Sequence, residues 1–139
     1  MTPSEAGAVI HALGDAFETG DVDAAMGQFL TEGDVMYSGS ERGEVALGST
    51  DLRSLFTDVF AREERYSWRC NSVQVAACPA GFAVLAEATL IVTLFSNLTD
   101  GTTRTTHPYR ISGLLETENG HWRWRSCHGS EPASSTSAA

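Results

Sequence analysis

The sequence predicts an α+β fold, with helices packed on one face of an antiparallel sheet. Two observations predict it. Apolar residues recur at helical spacing from Val9 to Phe60, whereas from Arg65 onward they alternate or run continuously in β-branched and aromatic stretches. Helices first and long strands afterwards segregate the two kinds of element.

The first helix is marked by "TPSE", where Thr2 caps, Pro3 suits the first helical position and Glu5 completes a capping box. Val9, Ile10, Leu13, Ala16 and Phe17 then form one apolar stripe. Gly20 ends this helix and Asp21 caps a second, with apolar positions at Val22, Ala25, Met26, Phe29 and Leu30. "DVMYS" reads as a short strand and "GSERGEVALG" as a polar loop. A third helix begins near Thr50 and carries Leu52, Leu55, Phe56, Val59 and Phe60 on one side. The long strands lie in "RYSWRCNSVQVAA", "GFAVLAEATLIVTLF", "TTHPYRISGLLE" and "HWRWRSCHGS".

Asn119-Gly120 is a two-residue hairpin loop, which sets the register of the last two strands. With Glu118 facing His121, Glu116 opposes Arg123, Leu115 opposes Trp124, Gly113 opposes Ser126 and Ile111 opposes His128. Alternate residues point the same way, so His107, Tyr109 and Ile111 share the inner face with Trp124, Ser126 and His128. Arg110, Arg123, Arg125 and Cys127 then face outward. The small pair Gly113 and Ser126 leaves room beneath Trp124, as where a sheet bends or a pocket has its floor. Glu87 has the parity opposite to Val84, Ala86 and Ala88, and faces away from the interior toward an arginine.

At 139 residues the chain fits one domain, placed at residues 1–131 with a mobile tail over 132–139. Eighteen acids against nine bases leave a charge of -9, so nucleic acid is not expected as a partner. All nine bases are arginine, which excludes lysine Schiff-base chemistry and a lysine-type phosphate loop. Cys70, Cys78 and Cys127 lack a C-x-x-C spacing and suggest a reducing cytoplasm rather than a disulfide framework or zinc knuckle. No apolar run approaches a membrane span, and no membrane partner is expected. "NLT" at 97–99 reads as a turn. His107 and His128 are not at a metal-ligand spacing, so neither metal nor cofactor is expected.

The candidate chemistry is a row of two imidazoles and a phenol. Tyr109 lies diagonal to His128 at roughly 7–8 Å, and His107 is roughly 7 Å along the strand from Tyr109. Histidine exchanges protons near neutrality, and a tyrosine hydroxyl donates to a developing oxyanion. The row suits proton transfer beside a carbonyl or elimination of water. The structural alternative is a core tyrosine with strand-end histidines bonded to carbonyls. Asp34 is the carboxylate candidate near the cavity, because it follows a helix and enters a short strand; a turn carboxylate is its alternative.

The order helix, "FETGDVDAAMGQFL", short strand, helix, then long strands ending in "W-x-W-x-x-x-H-G-S" resembles the SnoaL-like branch of the nuclear transport factor 2-like superfamily. The resemblance covers about residues 4–131. It implies a cone: a strongly curved sheet around the first helix, an apolar pocket inside, and often a homodimer through the outer sheet face. The pocket it implies takes Phe17, Tyr37, Leu55 and Phe56 from the first half of the chain. Trp68, Val84, Ala86 and Ala88 come from the first long strands, and His107, Tyr109, Trp124, Ser126 and His128 from the last. Ketosteroid isomerases place their base carboxylate at Ser38, their oxyanion tyrosine at Leu13 and their second oxyanion acid at His107, so their isomerisation does not carry over. No Asp-Arg-Asp set falls on inner positions, which disfavours epoxide hydrolysis. Of the ending "H-x-H-x-S" found in related sequences, only His128 and Ser130 match.

The expected function is binding of a moderately sized apolar molecule, aromatic or polycyclic, with a polyketide- or steroid-like character. Cofactor-free isomerisation, dehydration or cyclisation would follow, with His107 moving a proton and Tyr109 stabilising an oxyanion. His128 or Asp34 would complete the transfer. The alternative is a non-catalytic ligand-binding or assembly domain. An open pocket of a few hundred Å³ that reaches His107 favours a ligand over assembly.

Overall fold

The computed structural model describes residues 1–95 and 102–133; the "NLT" turn and residues 134–139 of the tail lie outside the described residues. In chain order the elements are α1 (Pro3–Thr19), α2 (Val22–Met26), β1 (Met36–Ser38), β2 (Val45–Leu47) and α3 (Ser49–Phe60). β3 (Glu64–Cys78), β4 (Gly81–Phe95), β5 (Thr102–Glu118) and β6 (His121–Ser130) follow. The strands form one sheet in the order β2-β1-β6-β5-β4-β3. The fold is an α+β cone, in which the sheet curves around α1.

Local signals account for the helices. Thr2 and Glu5 make the reciprocal capping box of α1, Gly20 closes it in a left-handed conformation, and the Asp21 carboxylate accepts from the Ala24 N–H to start α2. The Trp68 indole N–H donates to the Ile10 carbonyl at 2.8 Å and ties α1 to β3. Beneath this tie Ile10, Leu13, Phe29, Leu52, Phe56, Ile111, Leu115 and Trp124 are at most 2% exposed. Each such side chain contributes about 1.5–3 kcal/mol by leaving water. Among the described residues no helix is long and apolar enough to cross a membrane.

Two features depart from the sequence reading. The segment read as a polar loop contains β2, which pairs antiparallel with β1, while β1 itself runs parallel to β6. The larger departure is in β6. The hairpin at Asn119 and Gly120 forms as expected, and Glu116 opposes Arg123 and Leu115 opposes Trp124. There the register shifts: Leu114 pairs with Ser126, and Arg125 is the extra residue of a bulge.

A shift of one residue turns every later side chain to the other face. Gly113 therefore opposes Cys127 rather than Ser126, and Ile111 opposes Gly129 rather than His128. Cys127, expected outside, is buried on the inner face. Ser126 and His128, expected inside, border an outer hollow with Met36, Val45 and Leu47.

The Arg125 side chain shows why the bulge sits there. Its guanidinium grips both Glu116 carboxylate oxygens, at 3.0 and 3.1 Å, and donates to the Glu32 and Asp34 carbonyls at 2.9 and 2.8 Å. The bulge thereby fastens the turn before β1 to the sheet. Gly113 permits the close approach: a Cβ there would stand 2.0 Å from the Ser126 carbonyl oxygen and 3.0 Å from the Trp124 ring. The room expected beneath Trp124 is filled by its own indole. Glu87 faces outward and pairs with Arg110 at 3.0 Å, as its parity indicates.

Candidate functional site

Packing fills one part of the cone and leaves a cavity of about 200 Å³ in another, bordered by α1, α3, β1, β3, β4, β5, the segment 40–44 and Glu131. Phe17, Val59, Trp68, Leu90 and Val92 give it apolar walls. Tyr37, Tyr66, Tyr109, His107 and Ser40 supply polar atoms, and Glu41, Glu44, Glu64 and Glu131 supply carboxylates.

The residues singled out in the sequence separate accordingly. Phe17, Tyr37, Trp68, His107 and Tyr109 line the cavity together. Phe56, Val84, Ala86, Ala88 and Trp124 are buried in the packed core, and Leu55 packs against it from α3. Ser126 and His128 lie on the outer face because of the bulge. Asp34 is exposed, and its backbone carbonyl, not its carboxylate, engages Arg125. The row His107–Tyr109–His128 is therefore reduced to its first two members, and the cavity carboxylates come from elsewhere.

The deepest of them is Glu44, at the end of the polar segment before β2. Its side chain is 12% exposed. Oε1 accepts from the Glu41 N–H at 2.9 Å, while Oε2 stands 3.6 Å from an Arg62 nitrogen that also reaches Glu41 at 3.1 Å. Gly39 lets the chain fold back this tightly, since a Cβ there would fall 2.7 Å from Glu44 Oε1. Burial holds the carboxyl above its usual range, the Glu41 amide pulls it back, the Glu41 charge raises it and Arg62 lowers it. A carboxyl so placed holds and releases a proton closer to neutrality than one in water.

Tyr109 sits opposite Ala88 on β5, stacked 6.3 Å from Trp68. Its ring packs over Gly129, the next inward residue of β6 after Cys127. Burial pushes its hydroxyl up to about 12; Ser40 draws it down, while Cys127, Glu44 and Glu131 push it further up. Burial raises Tyr37 in the same sense. Both remain neutral donors at physiological pH. Tyr66 is held at about 12 by burial and by its hydrogen bond to the Glu64 carboxylate. His107 shares the face of Tyr109 but is exposed at the rim, within 3.1 Å of the Thr105 hydroxyl.

A second hollow, of about 420 Å³, lies between α1 and the sheet and is bordered by His11, Asp15, Glu18, Arg69 and Arg104. There His11 Nε2 accepts from the Cys70 N–H at 3.1 Å, which satisfies a backbone donor on the edge strand. Its charges balance, and its histidine is committed to the backbone.

The model of the SnoaL-like domain matches residues 7–134. No curated protein matches the chain. Among solved structures, a candidate dehydratase of the nuclear transport factor 2-like family from Streptomyces avermitilis superposes with a TM-score of 0.80. It is 15% identical, over 94% of this chain and 97% of that one. A candidate scytalone dehydratase from Novosphingobium aromaticivorans gives 0.75 at 8% identity, over 93% and 83%. A ketosteroid isomerase-like protein from Erwinia carotovora atroseptica gives 0.64 at 19% identity, over 95% and 97%. At these identities the likeness is one of fold, whereas the domain match spans nearly the whole chain: this protein belongs to the SnoaL-like domain family.

Proposed function

We propose that the chain binds a small aromatic molecule in the cavity and catalyses cofactor-free proton transfer on it, as isomerisation, dehydration or cyclisation. The observation that carries this reading is a buried carboxyl of raised proton affinity, Glu44, in one aromatic-walled cavity with the neutral phenol of Tyr109. Glu44 takes a proton from the carbon beside a carbonyl. The electron pair moves into the carbonyl, and Tyr109 donates a hydrogen bond to the oxyanion that develops. Return of the proton to a different carbon completes an isomerisation. Departure of a hydroxyl group, protonated by His107 at the rim, completes a dehydration. The names of the dehydratase and isomerase-like structural relatives accord with this chemistry.

The volume narrows the occupant. A cavity of about 150 Å³ accommodates benzene and ordinary ligand sites begin near 300 Å³, so about 200 Å³ suits one substituted ring rather than a polycycle. The same open volume favours a ligand-binding site over the sealed core of an assembly module. The test is exchange of the α-protons of acetophenone in deuterated water, followed by NMR. Wild type accelerates exchange, Glu44→Gln abolishes the acceleration and His128→Ala retains it; equal rates for wild type and Glu44→Gln would sink the assignment.

On the outer sheet face Met36, Val45, Leu47, Leu85 and Leu114 are 37–64% exposed. This apolar surface supports a homodimer formed through that face. Sedimentation tests it: a dimer at micromolar concentration that Leu114→Glu dissociates supports the reading, and a monomer contradicts it. The three free thiols suit a cytoplasmic setting, which we adopt as part of the same proposal.

A further inference from the structure

The charged lining of the cavity has one sign. Among the described residues Glu41, Glu44, Glu64 and Glu131 border it, and no arginine does. Arg62 lies behind Glu41 and Glu44 and is shared between them. Among the described residues Glu64 and Glu131 pair with no cation; Glu64 holds the Tyr66 hydroxyl instead. The site thus sets four carboxylates against a single guanidinium.

A second observation points to an occupant. Tyr37 is 8% exposed and lines the cavity, yet its hydroxyl has no hydrogen-bond partner among the described residues. That hydroxyl opens onto the cavity, where its oxygen accepts from a donor on an occupant while its own proton stays in place. The rings of Phe17, Tyr66 and Trp68 line the same cavity. Aromatic faces and carboxylates together stabilise an ammonium group, through the ring quadrupole and through charge. Among the described residues no three His, Cys, Asp or Glu side chains come close enough to hold a metal ion. Glu41 and Glu44 converge on one Arg62 nitrogen, whereas among the described residues Glu64 and Glu131 border the cavity without pairing to it.

We propose that the cavity selects a substrate that carries a protonated amine on a small aromatic body. This rests on the ligand-binding reading above and adds the sign of the charge to it. The Tyr37 oxygen and the carboxylates without arginine partners face the ammonium, and the aromatic walls take the ring. A carboxylate-bearing ligand of the same size is repelled.

The test compares phenethylamine, phenethyl alcohol and hydrocinnamate at neutral pH, by NMR titration of the Trp68 indole N–H. The amine binds about tenfold tighter than the alcohol at low salt and hydrocinnamate binds weakest, because only the charge changes sign across the series. Glu131→Gln, at an exposed position, weakens the amine about threefold and leaves the alcohol unchanged. If the alcohol shifts Trp68 and binds as tightly as the amine, or if Glu131→Gln weakens both equally, cation selection is overturned while the binding site stands. If none of the three probes shifts Trp68, the site and the inference fall together.

Discussion

Gly129→Ala probes the link between the bulged strand and the cavity. An alanine Cβ at this position would stand 2.1 Å from Tyr109 Oη, 2.7 Å from Cζ and 3.0 Å from Cε2. Ordinary contacts between such atoms are about 3.5 Å, so the ring must retreat by more than about 1 Å. It has little room, because Trp68 stacks on it and its own strand is pinned against β4. Overpacking of this kind costs about 1–3 kcal/mol. For a chain of this length each kcal/mol moves Tm by about 3 °C, so thermal unfolding followed by circular dichroism shows a fall of roughly 3–9 °C. Tyr109→Phe removes the atom in the closest clash, and the double variant recovers about 1 kcal/mol relative to the sum of the single ones. The ring that retreats enters the cavity, so phenethyl alcohol binds more weakly as well. A Gly129→Ala protein with unchanged Tm and unchanged affinity would refute the placement of Tyr109 over Gly129, and with it the inward parity assigned after the bulge.

His107→Ala weakens binding of an aromatic probe, whereas His128→Ala changes it by less than about twofold, since the second imidazole lies outside; fluorescence titration distinguishes them. Glu44 is raised above 4.5 in the folded state, so its contribution to stability is greatest when it is protonated and declines as pH rises from 4.5 through its folded value. Glu44→Gln flattens that decline in chemical denaturation and removes the rise of α-proton exchange with pH; an unchanged pH profile would exclude Glu44 as the base. Trp124 is fully buried, and its indole N–H has no partner among the described residues. Trp124→Phe therefore costs no more than about 1.5 kcal/mol by urea denaturation, well below the roughly 3–5 kcal/mol of a truncation to alanine.

The helices and the long strands of the cone were legible because their signals are local. The capping box at Thr2 and Glu5, the Asp21 cap and the Asn119-Gly120 turn act within a few residues, and the apolar stripe of α1 follows from helical spacing. The bulge was not legible, since it depends on Arg125 reaching Glu116 on the neighbouring strand and two carbonyls before β1. Alternation alone could not reveal it, because both parities after Trp124 carry small or polar residues. Cys127 and Gly129 were the available hint: the more apolar and smaller members of "RSCHGS" are those that turn inward.

Glu44 was hidden for a different reason. Within "GSERGEVALG" the glycines and charges outnumber the apolar residues, which resembles a solvated loop. The alternation in Val45, Ala46 and Leu47 was the signal of a strand that would anchor Glu44 against the sheet. Asp34, two residues before β1, has the same local character, yet its carboxylate stays in solvent because Arg125 takes its backbone. Burial by distant elements separates the two acids, and spacing in the chain does not report it.

A ligand inside the cone lies against Tyr109 and Trp68, and intermolecular NOEs from the ring protons of bound phenethyl alcohol test this most directly. NOEs to the Trp68 indole and the Tyr109 ring, and none to Leu47 or His128, are the predicted result. NOEs confined to Leu47 and His128 in the outer hollow would contradict it.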